Sequence, residues 1–222
     1  MKRRACWTKL WFYSVMGLTL IVPIACNSGS ASKHVKGKSA TASDTSSPHI
    51  DVMCIGDRID NPPEAFHYSY KHSNETGWEE AEADITPQAM DITTKDKSGT
   101  HSYHGVRSDE TSWGSAVLVL SGLNITAMSA RLDALNNTSA ISGQGSETIN
   151  GYKATKVAID TSSANAADKQ QYASLFGKSS FEKGTIWMSE DGCLANLALD
   201  EGLEIDGALK KAHYEMARSR KQ

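Results

Sequence analysis

The chain is poor in chemical signatures. None of its seven histidines belongs to a His-Glu-x-x-His pattern. His101 and His104 are three apart and His67 and His72 five apart, spacings that set each pair on opposite faces of a strand. Gly143-Gln-Gly145-Ser146 lacks the Gly-x-Ser-x-Gly elbow of a serine nucleophile and reads as a flexible connection. Glu79, Glu80, Glu82 and Asp84 form an acidic run without the EF-hand spacing, which reads as a solvated strand face. No nucleophile–base set or carboxylate pair emerges from local spacing. These absences lead us to expect no enzyme, no cofactor and no bound metal. A formal net charge of −3 makes a modestly acidic surface, which argues against nucleic acid or anionic lipid as the main partner.

Acidic residues are also missing from the whole of Met1–Cys26, and that absence goes with a pattern. Lys2, Arg3, Arg4 and Lys9 form a basic head, and Leu10 to Ile24 is an almost unbroken apolar run followed by Ala25-Cys26. A positive n-region, an apolar h-region and a small residue before the cut make a secretory signal, and the run is short for a spanning helix. An uncleaved membrane anchor is the alternative. Cysteine directly after Ala25 resembles the bacterial lipobox, with Pro23 where Leu or Val usually stands. The resemblance implies that residues 1–25 are a lipoprotein signal peptide and that Cys26 becomes the lipid-bearing N-terminus. Two acyl chains suffice for stable anchoring. Asn27 in place of Asp after the cysteine resembles the sorting rule of many Gram-negative bacteria, which implies the periplasmic side of the outer membrane.

Cysteine is scarce, and its arithmetic is informative. Of four cysteines, Cys6 leaves with the signal and Cys26 takes the lipid, so Cys54 and Cys193 remain. An even pair in an exported chain reads as one disulfide, with two free buried thiols as the alternative. Residues 26–48 contain only Val35 as a sizeable aliphatic residue, too little apolar surface to offset the entropy of ordering. As a flexible tether their ends would lie about 25 Å apart.

The folded domain is expected over residues 49–222. Ile50, Val52 and Cys54 alternate with polar neighbours, predicting a short strand, and Phe66, Tyr68 and Tyr70 share one face of another. Trp78–Ile85, Met90–Thr94 and Thr100–Arg107 continue an antiparallel meander, with a turn at Lys97-Ser98-Gly99. Ser108 is positioned to cap a helix whose first turn carries Asp109 and Glu110. Trp113, Ala116, Val117, Leu120 and Leu123 fall on one face of that helix. Leu118 and Val119 make the other side apolar, so it is expected to be buried nearly all round and to end at Gly122. A buried strand over 116–120 is the alternative. Met128, Leu132 and Leu135 mark a second helix, closed by Asn136-Asn137. An Asn150-Gly151 turn precedes an alternating strand, Tyr152–Asp160, and Asn165–Phe176 suits a helix capped by Gly177. Asp191-Gly192 is the turn of a hairpin pairing Met188 with Ala195 and Ile186 with Leu197. The segment from Gly207 through Tyr214 to Arg218 reads as strand or helix.

The order of these elements, with the helix near Trp113, Gly151–Asp160 and Gly184-Thr-Ile-Trp187 ahead of Asp191-Gly192, resembles the LolA/LppX lipoprotein-carrier superfamily over roughly residues 60–218. The resemblance implies an α+β domain in which a curved antiparallel sheet, a half-open barrel, wraps around two or three short helices. It also implies an apolar cavity that shelters an acyl chain. Phe66, Tyr68, Trp113, Val117, Leu120 and Trp187 are the residues expected to line it, ordinary core packing being the alternative for the aromatic ones. No segment matches the exposed apolar loop by which LolB inserts lipoproteins. Two functions follow. One is a tethered binding or carrier protein for a hydrophobic ligand; the other is a structural or assembly module, its interior filled, that binds an envelope protein.

Overall fold

The computed structural model describes residues 49–51, 54–121, 123 and 125–221. The signal sequence, Cys26, the tether, Val52 and Gly122 lie outside the described residues. The first element is not the expected strand but a helix, α1 (Cys54–Asp60). Two side chains account for the difference. Asp51 Oδ1 accepts the Cys54 N–H at 3.2 Å and so caps α1. The Asn136 side chain meets the Ile50 backbone in both senses, its Oδ1 accepting at 2.8 Å and its Nδ2 donating at 2.9 Å, which supplies what a neighbouring strand would have supplied.

Four strands follow as a meander: β1 (Phe66–Asn74), β2 (Gly77–Ile85), β3 (Ala89–Asp96) and β4 (Gly99–Val106). The chain then forms α2 (Glu110–Ser121) and α3 (Ile125–Leu135) and enters a second strand group, β5 (Ile141–Ile149) and β6 (Tyr152–Asp160). Helix α4 (Ala166–Phe176) leads to β7 (Phe181–Ser189), β8 (Leu194–Ile205) and β9 (Ala208–Arg220). All belong to one nine-stranded antiparallel sheet in the order β4-β3-β2-β1-β9-β8-β7-β6-β5. The two meanders join where β9 lies antiparallel to β1, Phe66 opposite Arg220 and Tyr70 opposite Met216.

Local chemistry sets most element ends. Asp109, rather than Ser108, caps α2, its Oδ1 accepting from Thr111 and Ser112 N–H at 3.1 and 3.3 Å. Asn165 caps α4 by accepting from Asp168 N–H, and Gly177 ends it at φ 99°. Asn150 and Gly151 (φ 53° and 80°), like Asp206 and Gly207 (φ 52° and 76°), both take positive φ, as a type I′ hairpin turn requires. Gly143–Ser146 is part of β5 and carries a bulge rather than forming a connection. A second bulge at Trp187/Met188 moves Met188 opposite Leu194, not Ala195, while Ile186 and Leu197 pair as expected.

The sheet is open, with β4 and β5 as its edges, and it is curved: Arg220 N–H at the end of β9 donates to Asn150 O in the β5–β6 turn at 3.0 Å, reaching past β8 and β7. All four helices pack on one face, called the inner face here. Ile55 and Ile59 of α1, Trp113 and Leu120 of α2, Met128 and Leu132 of α3, and Tyr172 of α4 share a single core with inner-face residues such as Tyr68, Ile92, Ile186 and Met216. The expected fold class, an α+β curved antiparallel sheet with helices, is the one observed, with four helices among the described residues in place of the two or three expected.

Candidate ligand site

The six residues expected to line a cavity do not line either of the two concavities described below. Phe66, Tyr68 and Leu120 are fully buried, and Trp113 nearly so, within the continuous core between sheet and helices. Val117 is half-buried at the edge of that core. Helix α2 can approach β4 this closely because Gly105 has no side chain; a Cβ there would lie 2.8 Å from the Ala116 Cβ. The Trp113 indole N–H donates to Asp60 Oδ1 at 3.3 Å, and the Arg107 guanidinium lies 4.7 Å from its ring centre. The helix is not enclosed all round: Leu118 is 63% exposed.

Trp187 is on the other side of the sheet. Ile186 and Met188 occupy the inner face, so the pleat turns Trp187 outward. It packs there with Tyr152, Ala154 and Ala195, its indole N–H donating to Glu147 Oε1 at 2.6 Å, with Lys156 5.4 Å from the ring centre. Its grouping with Phe66 and Tyr68 is therefore corrected.

The register that pairs Ile186 with Leu197 also sets Glu182 directly opposite Glu201, two carboxylates side by side on a buried face. Like charges so placed destabilise a sheet unless a cation lies between them. Arg131 of α3 provides it: Nε donates to Glu182 Oε1 at 2.9 Å, and Nη2 donates to Glu201 Oε2. The Tyr172 and Tyr214 hydroxyls donate to Glu182 Oε1 (2.9 Å) and Glu201 Oε1 (3.0 Å). Glu182 Oε2 has no partner. Burial raises the Glu182 carboxyl above its ordinary range against the opposing pull of Arg131 and Tyr172. Beside this cluster the His72 ring stacks on Tyr214 at 4.6 Å, and burial, with Arg131, holds the imidazole below its usual pKa.

The cluster closes one end of an inner-face concavity of about 340 Å³. Leu203 and Ile205 of β8 and Ala212 and Tyr214 of β9 form its apolar wall, His72 and Glu201 reach its inner end, and Asn74–Thr76 with Lys210 and Lys211 border its lip. Ile205 is 52% exposed there. The strand end bearing it abuts the end of α4, where Ser179 N–H donates to Glu204 Oε2 at 2.8 Å.

A second concavity, about 390 Å³, lies against β1–β4 and is lined largely by outward-facing polar groups. Those groups are already engaged with one another. His67 lies 2.9 Å from Asp84 and 2.6 Å from Glu82, and His104 lies 2.6 Å from Asp91. Partial burial opposes protonation of His67, but the two carboxylates outweigh it and raise the imidazole pKa. Among the described residues no group of His, Cys, Asp and Glu has an arrangement that could hold a metal ion.

Near the β7–β8 turn, Cys54 and Cys193 form the disulfide, their Cα atoms 5.5 Å apart, joining α1 to the start of β8. Arg218, 2% exposed, donates from Nη1 to Asp191 Oδ2 at 3.0 Å and from Nη2 to Ser189 Oγ at 2.6 Å. Partial burial favours the neutral Asp191 carboxyl, yet these bonds hold it well below the usual carboxylate range. The arrangement braces a turn and presents no apolar recess.

No family model matches the chain, and no curated protein does. Among solved structures, that of the Mycobacterium tuberculosis lipoprotein LppX is similar at 14% identity and a TM-score of 0.35, covering 75% of this chain and 91% of that one.

Sequence reasoning overlooked Arg131, Glu182, Glu201, His72 and the Leu203–Tyr214 wall. Two signals were available. Counting four residues outward from Ile186 and Leu197 reaches Glu182 and Glu201, and Arg131 falls three residues after Met128 and four before Leu135, on the apolar face of its helix.

Proposed function

We propose that this chain is a membrane-tethered, non-catalytic binding protein of the bacterial envelope whose hydrophobic ligand, an acyl chain, occupies the inner-face concavity. The observation that carries the reading is the wall of Leu203, Ile205, Ala212 and Tyr214, which extends the core to an opening the helices leave uncovered. Its volume, about 340 Å³, falls at the lower end of small-molecule sites, and each methylene buried there contributes about 0.8 kcal/mol. The lipobox-like Ala25-Cys26 supports the tether. The test is mass spectrometry of lipids co-purifying with the full-length chain, beside Ala212→Trp, which fills the recess. Lipid in the wild type and a large loss in the variant is the expected result; no lipid in either refutes the site.

A second reading, an assembly module that binds an envelope protein, draws on the filled interior and on the exposed Leu118 of α2. Membrane pull-down with Leu118→Lys tests it, and recovery of the same partners with and without the substitution counts against this face.

A further inference from the structure

We infer that the occupant of the concavity is a single-chain amphiphile whose uncharged, hydroxyl-bearing end enters first and hydrogen-bonds to His72, its tail lying along the apolar wall toward Ile205. The inference rests on the binding reading above and adds the ligand's polar group and its direction of entry.

The pleat sets the recess out in rows. His72 of β1 stands opposite Tyr214 of β9. Along the β8–β9 pair, Glu201 then opposes Ala212, Leu203 opposes Lys210, and Ile205 opposes Ala208. Polarity is concentrated at the inner end, and about 13 Å of strand separates Glu201 from Ile205 at the opening. Most of the polar groups are already engaged. Glu201 accepts from Arg131 and Tyr214, and at the lip the charges of Lys210 and Glu75, 3.5 Å apart, offset one another. His72 differs. It is 9% exposed, yet neither ring nitrogen has a hydrogen-bond partner among the described residues. Neither nitrogen is among the fully enclosed polar atoms that lack a partner, so a small molecule in the recess can reach the ring edge.

A neutral imidazole offers one N–H donor and one acceptor nitrogen, and a hydroxyl complements either. Burial and the Arg131 charge hold the ring neutral, and the same two influences oppose an ammonium beside it. A carboxylate is opposed for another reason. Glu182 and Glu201 already share one guanidinium, and a third acid would have to draw Arg131 away from them. The tail gains by covering Leu203 and the exposed Ile205.

The experiment uses the full-length chain bearing Cys26→Ala, prepared without detergent, and equilibrium dialysis of radiolabelled decanol, monodecanoylglycerol, decanoate and decylamine. Decanol and monodecanoylglycerol are expected to bind. Decanoate and decylamine should bind at least about tenfold more weakly, because an unpaired charge is costly to strip of water. His72→Phe preserves the stacked ring and removes both nitrogens, and it should weaken decanol about fivefold, the worth of one neutral hydrogen bond. His72→Gln, which restores a donor and an acceptor, should recover most of that loss. Three results overturn the uncharged end at His72 while leaving the site standing: decanoate or decylamine binding as tightly as decanol, decanol binding equally to wild type and His72→Phe, or a loss in His72→Gln matching that in His72→Phe. Binding of none of the four compounds overturns the site itself.

Discussion

Arg131 is the residue whose removal discriminates most sharply. Arg131→Met keeps the unbranched stem of the side chain and removes the guanidinium, and Met128, Leu132 and Leu135 still bury the same face of α3. What it removes is the only cation bonded, among the described residues, to the Glu182–Glu201 pair, whose side chains are 0% and 5% exposed. Breaking a buried ion pair from one side costs roughly 3–5 kcal/mol, because the remaining charge is left without compensation. For a domain of this size that corresponds to a melting temperature lower by roughly 6–20 °C. The pH dependence gives a second, independent reading. The folded-state pKa of Glu182 already stands above its ordinary value, so its contribution to stability is fully present below that value and declines as pH rises through the folded one. Arg131 opposes this rise, and without it the decline steepens. The deficit of Arg131→Met relative to wild type should therefore be larger at pH 7.5 than at pH 4.5. Adding Glu182→Gln and Glu201→Gln removes the uncompensated charges and should recover at least half of the loss. Urea unfolding followed by tryptophan fluorescence at the two pH values measures all of this. A loss below about 1 kcal/mol, or one of equal size at both pH values, would refute the assignment of Arg131 as the group that neutralises the pair.

Two further outcomes are expected. The disulfide closes a sequence separation of 139 residues, so Cys54→Ala/Cys193→Ala should lose roughly 4 kcal/mol, while non-reducing peptide mapping of the wild type should recover the two cysteines in one linked fragment. Metabolic labelling with a fatty acid should mark the wild-type chain and not Cys26→Ala, and equal labelling of both would remove the lipid anchor from the account.

The features that could be read directly are those decided by a few neighbouring residues. Asn150-Gly151 and the glycine of Asp191-Gly192 announce hairpins because glycine and asparagine adopt positive φ at little cost. Asn165 and Gly177 bracket α4 because a short polar side chain satisfies the first free N–H groups and glycine permits the turn out of the helix. Alternation located the strands, and it also contained the outward direction of Trp187, since Ile186 and Met188 cannot share a face with the residue between them. The Cys54–Cys193 pairing followed from setting Cys6 and Cys26 aside as signal and lipid-site residues, with two free thiols as the alternative, and the disulfide is present.

Alternation over Ile50–Cys54 misled, because five residues carry less information than one cap from Asp51 and one bonded amide from Asn136, 86 residues away. The joining of β1 to β9, the placement of Arg131 between two carboxylates, and the filling of the space beneath α2 all depend on groups far apart in the chain. An apolar helix face has the same pattern whether it meets a sheet or an empty cavity. Which of the two occurs is decided by summed side-chain volumes against the curvature of the sheet, and both exist only once the chain is folded. The recess therefore lies where the helices cease to cover β8 and β9, among residues whose local sequence carries no mark of it.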